Sequence, residues 1–378
     1  MKLRFEPVRR LCQDAIADEV VPGFVVLVAS GGRVQFHEAF GRRQVVPRTL
    51  PAFPDTVYDV ASLTKAVVTS VLAMKEVERG AIALDEPVRS RLPEFEGEER
   101  AGVTGRQLLS HSAGLPAYRP YWRQLANADS TRWAVSLAAA REPLEYRPGS
   151  LSIYSDVGFI LLGWLLERAS ELRLDALAER DVFRPLGVAS ATFVNLADPD
   201  ARARLLSERS VAATQQSAER GHLVLGEVDD ANAYAMGGIS GHAGLFADTA
   251  ALSAIAGALV ASWKGASAAP TPGGGPPLVA RDVVREFWSP AGVPGSTWRL
   301  GWDGPAARDS QAGARLSRAG VGHLGFTGCS LWIDPERETW IVLLANRVHP
   351  AVPDHDRFRV FRPSLHDAVL EALGYEAQ

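Results

Sequence analysis

The chain has 378 residues, 47% hydrophobic and 22% charged, with 40 Lys+Arg against 44 Asp+Glu and a net charge of −4. That length buries a sizeable core in one large domain or two intimate ones, and charges this interspersed give no electrostatic case for nucleic acid. Two cysteines make no disulfide framework, and the longest apolar runs are too short to span a bilayer.

Met1-Lys2-Leu3-Arg4-Phe5-Glu6 brings charges early and has no apolar signal core, so a cytoplasmic location is expected. Apolar residues at Phe5, Val8, Leu11, Cys12, Ala15 and Ile16 predict a helix from Phe5 to Asp18, ended by Pro22-Gly23. Phe24 to Ala29 and Arg33 to Gly41 read as two strands of a hairpin turning at Gly31-Gly32.

Val60-Ala61-Ser62-Leu63-Thr64-Lys65 then opens an apolar helix running to Glu78, with Gly80 as its C-terminal cap. Residues i and i+3 of a helix share a face, so the Lys65 amine can reach the Ser62 hydroxyl. A free serine is a weak nucleophile because its proton must leave as it attacks, and a partly desolvated amine beside it can take that proton. Arginine stays protonated and could not.

From Ile82 to Leu259 the pattern is mostly helical with long loops. Thr104 caps a short helix through Leu109, and Ser110 to Pro116 is turn-rich. Tyr154-Ser155-Asp156 precedes a helix marked by Val157, Ile160, Leu161, Trp164 and Leu165. Asp156, just before Val157, is a good candidate for the helix N-cap. Met236 to Gly244 is glycine-rich and suits close backbone approach, and a helix from Thr249 to Val260 follows. Ala266 to Pro277 is expected to be a flexible loop. Leu324 to Ile333 and Thr339 to Leu344 read as strands joined by Asp334-Pro335-Glu336-Arg337, and Pro363 to Leu373 as a closing helix. Strands at both ends around a helical middle predict an α+β domain whose antiparallel sheet comes from N- and C-terminal segments flanked by helices, with an inserted all-α region. The boundaries expected are 1–80 plus about 278–378 for the α/β part and about 81–277 for the mostly helical part, within a single domain.

Ser62-Leu63-Thr64-Lys65, Tyr154-Ser155-Asp156 and Gly322-His323-Leu324-Gly325, in that order, resemble the three signatures of serine β-lactamases and penicillin-binding proteins. The likeness is greatest to class C β-lactamases, D-aminopeptidases and family VIII esterases. It implies a β-lactamase/transpeptidase-like fold and a mechanism through an acyl-enzyme. Ser62 is then the nucleophile and Lys65 its proton partner. Tyr154 is a general base or proton relay, a role that asks nearby cations to lower its pKa. The backbone N–H groups of Ser62 and Phe326 form the oxyanion hole.

Asp156, His323 and Gly325 fall at substrate-binding positions. Asp156 stands where β-lactamases usually have asparagine. His323 replaces a lysine, and a neutral imidazole retains one hydrogen-bond donor but no steady cation. Uncharged esters or amides are therefore expected to be preferred over anionic β-lactams.

The eight histidines show no metal-ligand spacing, so neither metal nor cofactor is expected. His111 and His242 sit in loops that could line the site, and Ser240, in Gly238-Ile239-Ser240-Gly241-His242, misses the final glycine of a hydrolase elbow. The leading expectation is a serine hydrolase acting on an ester, amide or peptide bond of a small-molecule, peptide or sugar-peptide substrate. Gly226 to Ala233 with Met236 to Phe246 resembles relatives that include a muramyl amidase, which adds cell-wall fragments, while D-Ala carboxypeptidase or weak β-lactamase activity is a further alternative. The rival from another class is a non-catalytic module that senses peptidoglycan fragments. The pattern specifies no oligomeric state.

Overall fold

The computed structural model describes residues 2–125, 131–265, 277–353 and 357–377. The Ala/Gly/Pro-rich stretch expected to be a flexible loop lies, but for Pro277, outside the described residues. Six antiparallel strands form the central sheet. β1 (Gly23–Ser30), β2 (Arg33–Gln44) and β3 (Leu50–Pro51) come from the start of the chain. β4 (Val321–Leu324), β5 (Ser330–Asp334) and β6 (Thr339–Ala345) come from its end. The spatial order is β3-β2-β1-β6-β5-β4, so the two ends of the chain meet where β1 pairs with β6, from Phe24 opposite Ala345 to Ser30 opposite Thr339.

Successive side chains of a strand point to opposite faces, and β1 is apolar at nearly every position because both of its faces are covered. Val25, Leu27 and Ala29 join the larger core with Val67, Val71 and Leu252. Phe24, Val26 and Val28 turn to the other face, where the terminal helices Glu6–Ala17 and Phe358–Ala372 supply Val8, Cys12, Phe361, Leu365 and Val369.

The stretch Leu324 to Ile333 is not one strand. Gly325 N–H donates to Cys329 O at 2.7 Å and Gly328, at φ +107°, donates to Gly325 O at 3.0 Å, closing a turn between β4 and β5. Apolar residues continue across this turn, so patterning alone merges the strands, and the two glycines were the signal to weigh. The C-terminal helix starts at Phe358, with Pro363 inside it. The helix after Ser62 also departs from expectation. Lys65–Ser70 is wound as a π-helix before the α-helix Val71–Glu78 takes over, an irregularity that recurs at functional sites.

Thr104 and Gln107 form a reciprocal capping box on Gly105–Leu109. The inserted region is mainly helical and also carries the short strands Thr192–Phe193 and Leu245–Ala247, which join Tyr58–Asp59 in a second sheet. That small sheet ties the insertion to the segment leading into Ser62. No described helix is long and apolar enough to cross a membrane.

Gly241 fixes how closely the loop carrying His242 approaches the helix Asp156–Ser170. A Cβ at 241 would stand 2.2 Å from Phe159 O and 2.9 Å from Gly163 Cα, both backbone atoms that cannot swing aside. Gly241→Ala is expected to cost about 1–3 kcal/mol, the usual range for overpacking, and to lower the thermal midpoint accordingly. An unchanged melting curve would show that the two segments separate freely.

Candidate active site

Ser62 follows a strained turn. Ala61 adopts φ +48°, an uncommon conformation for a residue with a Cβ, and its N–H donates to Asp59 Oδ1 at 2.8 Å. Thr64 Oγ1 donates to Ala61 O at 2.7 Å, closing the turn from the other side. The helix then brings Lys65 back over the serine, with Nζ 2.9 Å from Ser62 Oγ.

Lys65 is fully buried, and its Nζ also meets His242 O at 2.9 Å and Asp156 Oδ1 at 2.8 Å. The serine oxygen and the carbonyl accept hydrogen bonds from the amine, and the Asp156 carboxylate pairs with its charge. Burial is the largest influence on Lys65 and lowers its pKa, but Asp156 and then Tyr154 outweigh it, leaving the lysine above its ordinary range. Asp156 is the first residue of the helix Asp156–Ser170. The N-cap is Ser155, whose Oγ accepts the Gly158 N–H at 3.0 Å. The capping role weighed for Asp156 therefore belongs to its neighbour, and the Asp156 carboxylate faces Lys65.

Tyr154 stands on the other side of the lysine, with Lys65 Nζ 4.9 Å from its ring centroid. Burial raises the phenol pKa more than Lys65 and the hydrogen bonds from Lys65 and Ser62 lower it. The lowering that a resting phenolate asks for is thus not achieved, and Tyr154 is a neutral phenol at rest. It is braced by aromatic rings: Trp298 stacks at 5.6 Å and His111 tilts against it at 4.8 Å. His111 Nδ1 accepts the Ser155 N–H at 3.1 Å, so this histidine supports the tyrosine loop from behind.

His323 lies on β4, 6.0 Å from the Tyr154 ring, and is 2% exposed. Burial first, and Lys65 second, push its pKa down to about 3, so it is neutral throughout the physiological range. Its Nδ1 lies 2.8 Å from Leu324 O, and because a carbonyl only accepts, the single imidazole proton is spent there. The expectation that His323 keeps a donor for substrate is corrected: Nε2 carries a lone pair.

Among the described residues, neither the Ser62 N–H nor the Phe326 N–H has a backbone or side-chain acceptor. Gly325 packs the turn of Phe326 against the serine segment, since a Cβ there would stand 2.5 Å from Val60 O. Ser62, Tyr154 and Phe326 lie where two cavities meet. The larger, about 750 Å³, is walled by Tyr118, Trp122, Tyr234, Asp156, Asp229 and Asp230. The smaller, about 360 Å³, is lined by Trp298, His323, Gly325, Arg347 and Arg362. Arg347 donates to Phe326 O at 2.7 Å, and Arg362 is 7% exposed.

Asp59, Asp229 and the two arginines were not among the residues singled out as site residues. An acid two residues before an Ala-Ser pair, and an arginine just after β6, were the only local signals. Ser240, by contrast, is 1% exposed, and its Oγ lies 2.8 Å from His242 Nδ1, whose Nε2 meets Asp230 Oδ1 at 2.8 Å. This chain resembles a hydrolytic triad in its partners, but its hydroxyl is out of substrate's reach. Its place in the site is indirect, through the His242 carbonyl that holds Lys65.

Residues 8–362 match the family described as Beta-lactamase. A protein of Escherichia coli (strain K12) named "Putative D-alanyl-D-alanine carboxypeptidase" is 28% identical over 365 residues, covering 88% of this chain and 80% of that protein. A protein of the same name from Salmonella agona (strain SL483) is 30% identical over 366 residues, covering 89% of this chain and 81% of its own. Among solved structures, EstCE1, titled a hydrolase with promiscuous acyltransferase activity, superposes with a TM-score of 0.72 at 22% identity, covering 97% of this chain and 98% of the other. A LovD6 mutant of simvastatin synthase from Aspergillus terreus gives 0.72 at 21% identity, covering 99% and 98%. The octameric penicillin-binding protein homologue from Pyrococcus abyssi gives 0.71 at 22%, covering 97% and 77%. At these identities the structural likenesses speak for the fold.

Proposed function

Because the chain belongs to the Beta-lactamase family, we propose that it is a serine hydrolase that forms a covalent acyl intermediate on Ser62 from an ester, amide or peptide substrate. The observation that carries this reading is the 2.9 Å approach of Lys65 Nζ to Ser62 Oγ beside two N–H groups without acceptors among the described residues, at the meeting of two cavities. Ser62 Oγ attacks the substrate carbonyl, and the developing oxyanion takes hydrogen bonds from the Ser62 and Phe326 amides.

Lys65 as an ammonium has no lone pair, so it must release a proton before it can accept the one from Ser62. Asp156 Oδ1, 2.8 Å away, is the acceptor placed for that transfer. Tyr154, a neutral phenol, then serves as donor to the leaving group rather than as the resting base. Water attacks the acyl-serine by the reverse of these steps, giving the acid and free Ser62.

A second reading, D-Ala carboxypeptidase activity, has one specific support beyond the names of relatives. Arg347 and Arg362 line the smaller cavity together with Ser62 and supply positive charge where neutral His323 does not. A carboxylate-bearing leaving group would fit that side.

Labelling with a fluorophosphonate followed by peptide mapping is expected to place a single adduct on Ser62. An adduct elsewhere, or none with any acylating probe, would refute the acyl-serine reading. The same protein is then offered p-nitrophenyl esters, D-amino acid amides, D-alanyl-D-alanine peptides, muramyl peptides and nitrocefin. Higher kcat/KM on neutral esters supports the general hydrolase reading, and higher kcat/KM on D-alanyl-D-alanine peptides supports the carboxypeptidase.

A further inference from the structure

We propose that Asp59 is a positioning residue for both halves of the oxyanion hole, its backbone carbonyl holding the Phe326 turn and its ionised carboxylate holding the Ser62 turn. The inference rests on the acyl-serine reading above. Asp59 Oδ1 accepts the Ala61 N–H at 2.8 Å, and Oδ2 accepts the Asp229 N–H at 2.7 Å. Its own carbonyl oxygen accepts Thr327 Oγ1 at 2.8 Å. Ala61 and Thr327 each adjoin a residue whose amide has no acceptor among the described residues, Ser62 on one side and Phe326 on the other. One residue, 2% exposed, thereby fixes the spacing of two amides that come from segments more than 260 residues apart.

The chemistry of the side chain matters as much as its place. Both oxygens face backbone donors, so a carboxylate satisfies both. A protonated acid turns one oxygen into a donor, and an asparagine presents an NH2 to an N–H. In either case one bond is lost and a donor faces a donor, with Ala61 already held at φ +48°. The titratable groups around Asp59 are Asp229, Asp230 and Cys329. Burial pushes the Asp59 carboxyl up to about 7, helped by the charges of Asp229 and Asp230 and opposed by the two N–H bonds. The Cys329 thiol, raised to about 11 by burial, stays neutral there. Protonation of Asp59 therefore falls inside the working pH range, and turnover should decline as pH falls through it.

The test measures kcat and KM for a neutral p-nitrophenyl ester from pH 5.5 to 8.5 in the unmodified protein, Asp59→Asn and Asp229→Asn, with fluorophosphonate labelling alongside. The unmodified protein is expected to show an acid limb in kcat with its midpoint near 7. Asp229→Asn removes a neighbouring negative charge and should move that midpoint to lower pH. Asp59→Asn should lose the limb and lower kcat about 10- to 100-fold, short of the loss of an oxyanion donor, with KM changed less than about threefold.

Stability separates this from a merely structural role. With its pKa raised in the folded state, charged Asp59 costs stability that accumulates as pH rises from the unfolded value to about 7, so Asp59→Asn should melt no earlier than the unmodified protein at pH 8. Retention of kcat in Asp59→Asn, or an acid limb that Asp229→Asn leaves in place, overturns the proposal. If Asp59→Asn does not fold, the shift in Asp229→Asn decides alone. Failure of the probe to label Ser62 in the unmodified protein refutes the acyl-serine reading itself, and this inference with it. Labelling with no movement of the limb refutes only the inference.

Discussion

Lys65→Arg is expected to lower kcat/KM by at least about 100-fold and up to about 10,000-fold, the range for a positioned proton-transfer group. The guanidinium keeps the charge and the donors but never gives up a proton in the pH range of an assay. Lys65 is fully buried and Arg is larger, so folding must be checked by its thermal transition. Lys65→Met, closer in volume, should be as inactive. Fluorophosphonate labelling of Ser62 should slow in parallel in both variants, since acylation needs the same proton transfer. Activity within about tenfold of the unmodified protein in the folded Arg variant would remove Lys65 from the chemistry and leave it a structural cation.

Asp156→Asn is expected to slow turnover at least about 10-fold at pH 6, with the deficit shrinking towards pH 9. In the unmodified protein the carboxylate raises Lys65 and also takes the proton that Lys65 must release. With asparagine the leading remaining influence is burial, which lowers the lysine pKa, so the neutral amine forms directly once the pH is high enough.

Stability should follow the same course. The unmodified lysine, raised above its unfolded value, contributes stability that is complete below that value and is lost only as pH rises through the folded pKa. In the variant the folded pKa drops below the unfolded one, so stability is poorest at low pH and recovers as pH rises. Breaking a buried pair costs about 3–5 kcal/mol in general, and less here because Asp156 is 19% exposed. A rate deficit independent of pH, carried mainly in KM, would instead make Asp156 a substrate-binding residue.

Much of this site was legible because it is local. Ser62 and Lys65 sit three residues apart, and helical geometry alone brings their side chains together. Tyr154 could be placed on a loop before a helix because Ser155, Asp156 and the apolar run after them mark a helix start. The hairpin of β1 and β2 was legible from Gly31-Gly32, and a sheet completed by the C-terminal segment from strands at both ends of the chain, while the pairing of β1 with β6 came from the structure. The turn between β4 and β5 was not, because apolar periodicity runs through it and only the glycines interrupt.

The sequence by itself carried the Ser62–Lys65 spacing and the α+β architecture, since both rest on short spacings and on which faces of strands and helices are apolar, while the role read for Tyr154 came through the family resemblance. The tertiary structure decided the protonation states. Lys65 is held as an ammonium by Asp156 and by a carbonyl 177 residues away, and His323 is made an acceptor by its own neighbour's carbonyl and by burial. It also decided that Asp156 faces the lysine while Ser155 caps the helix, and that Asp59 links the two amide-bearing turns. A pKa depends on desolvation and on charges within a few ångströms, quantities set by packing between distant segments, so no motif spacing carries them.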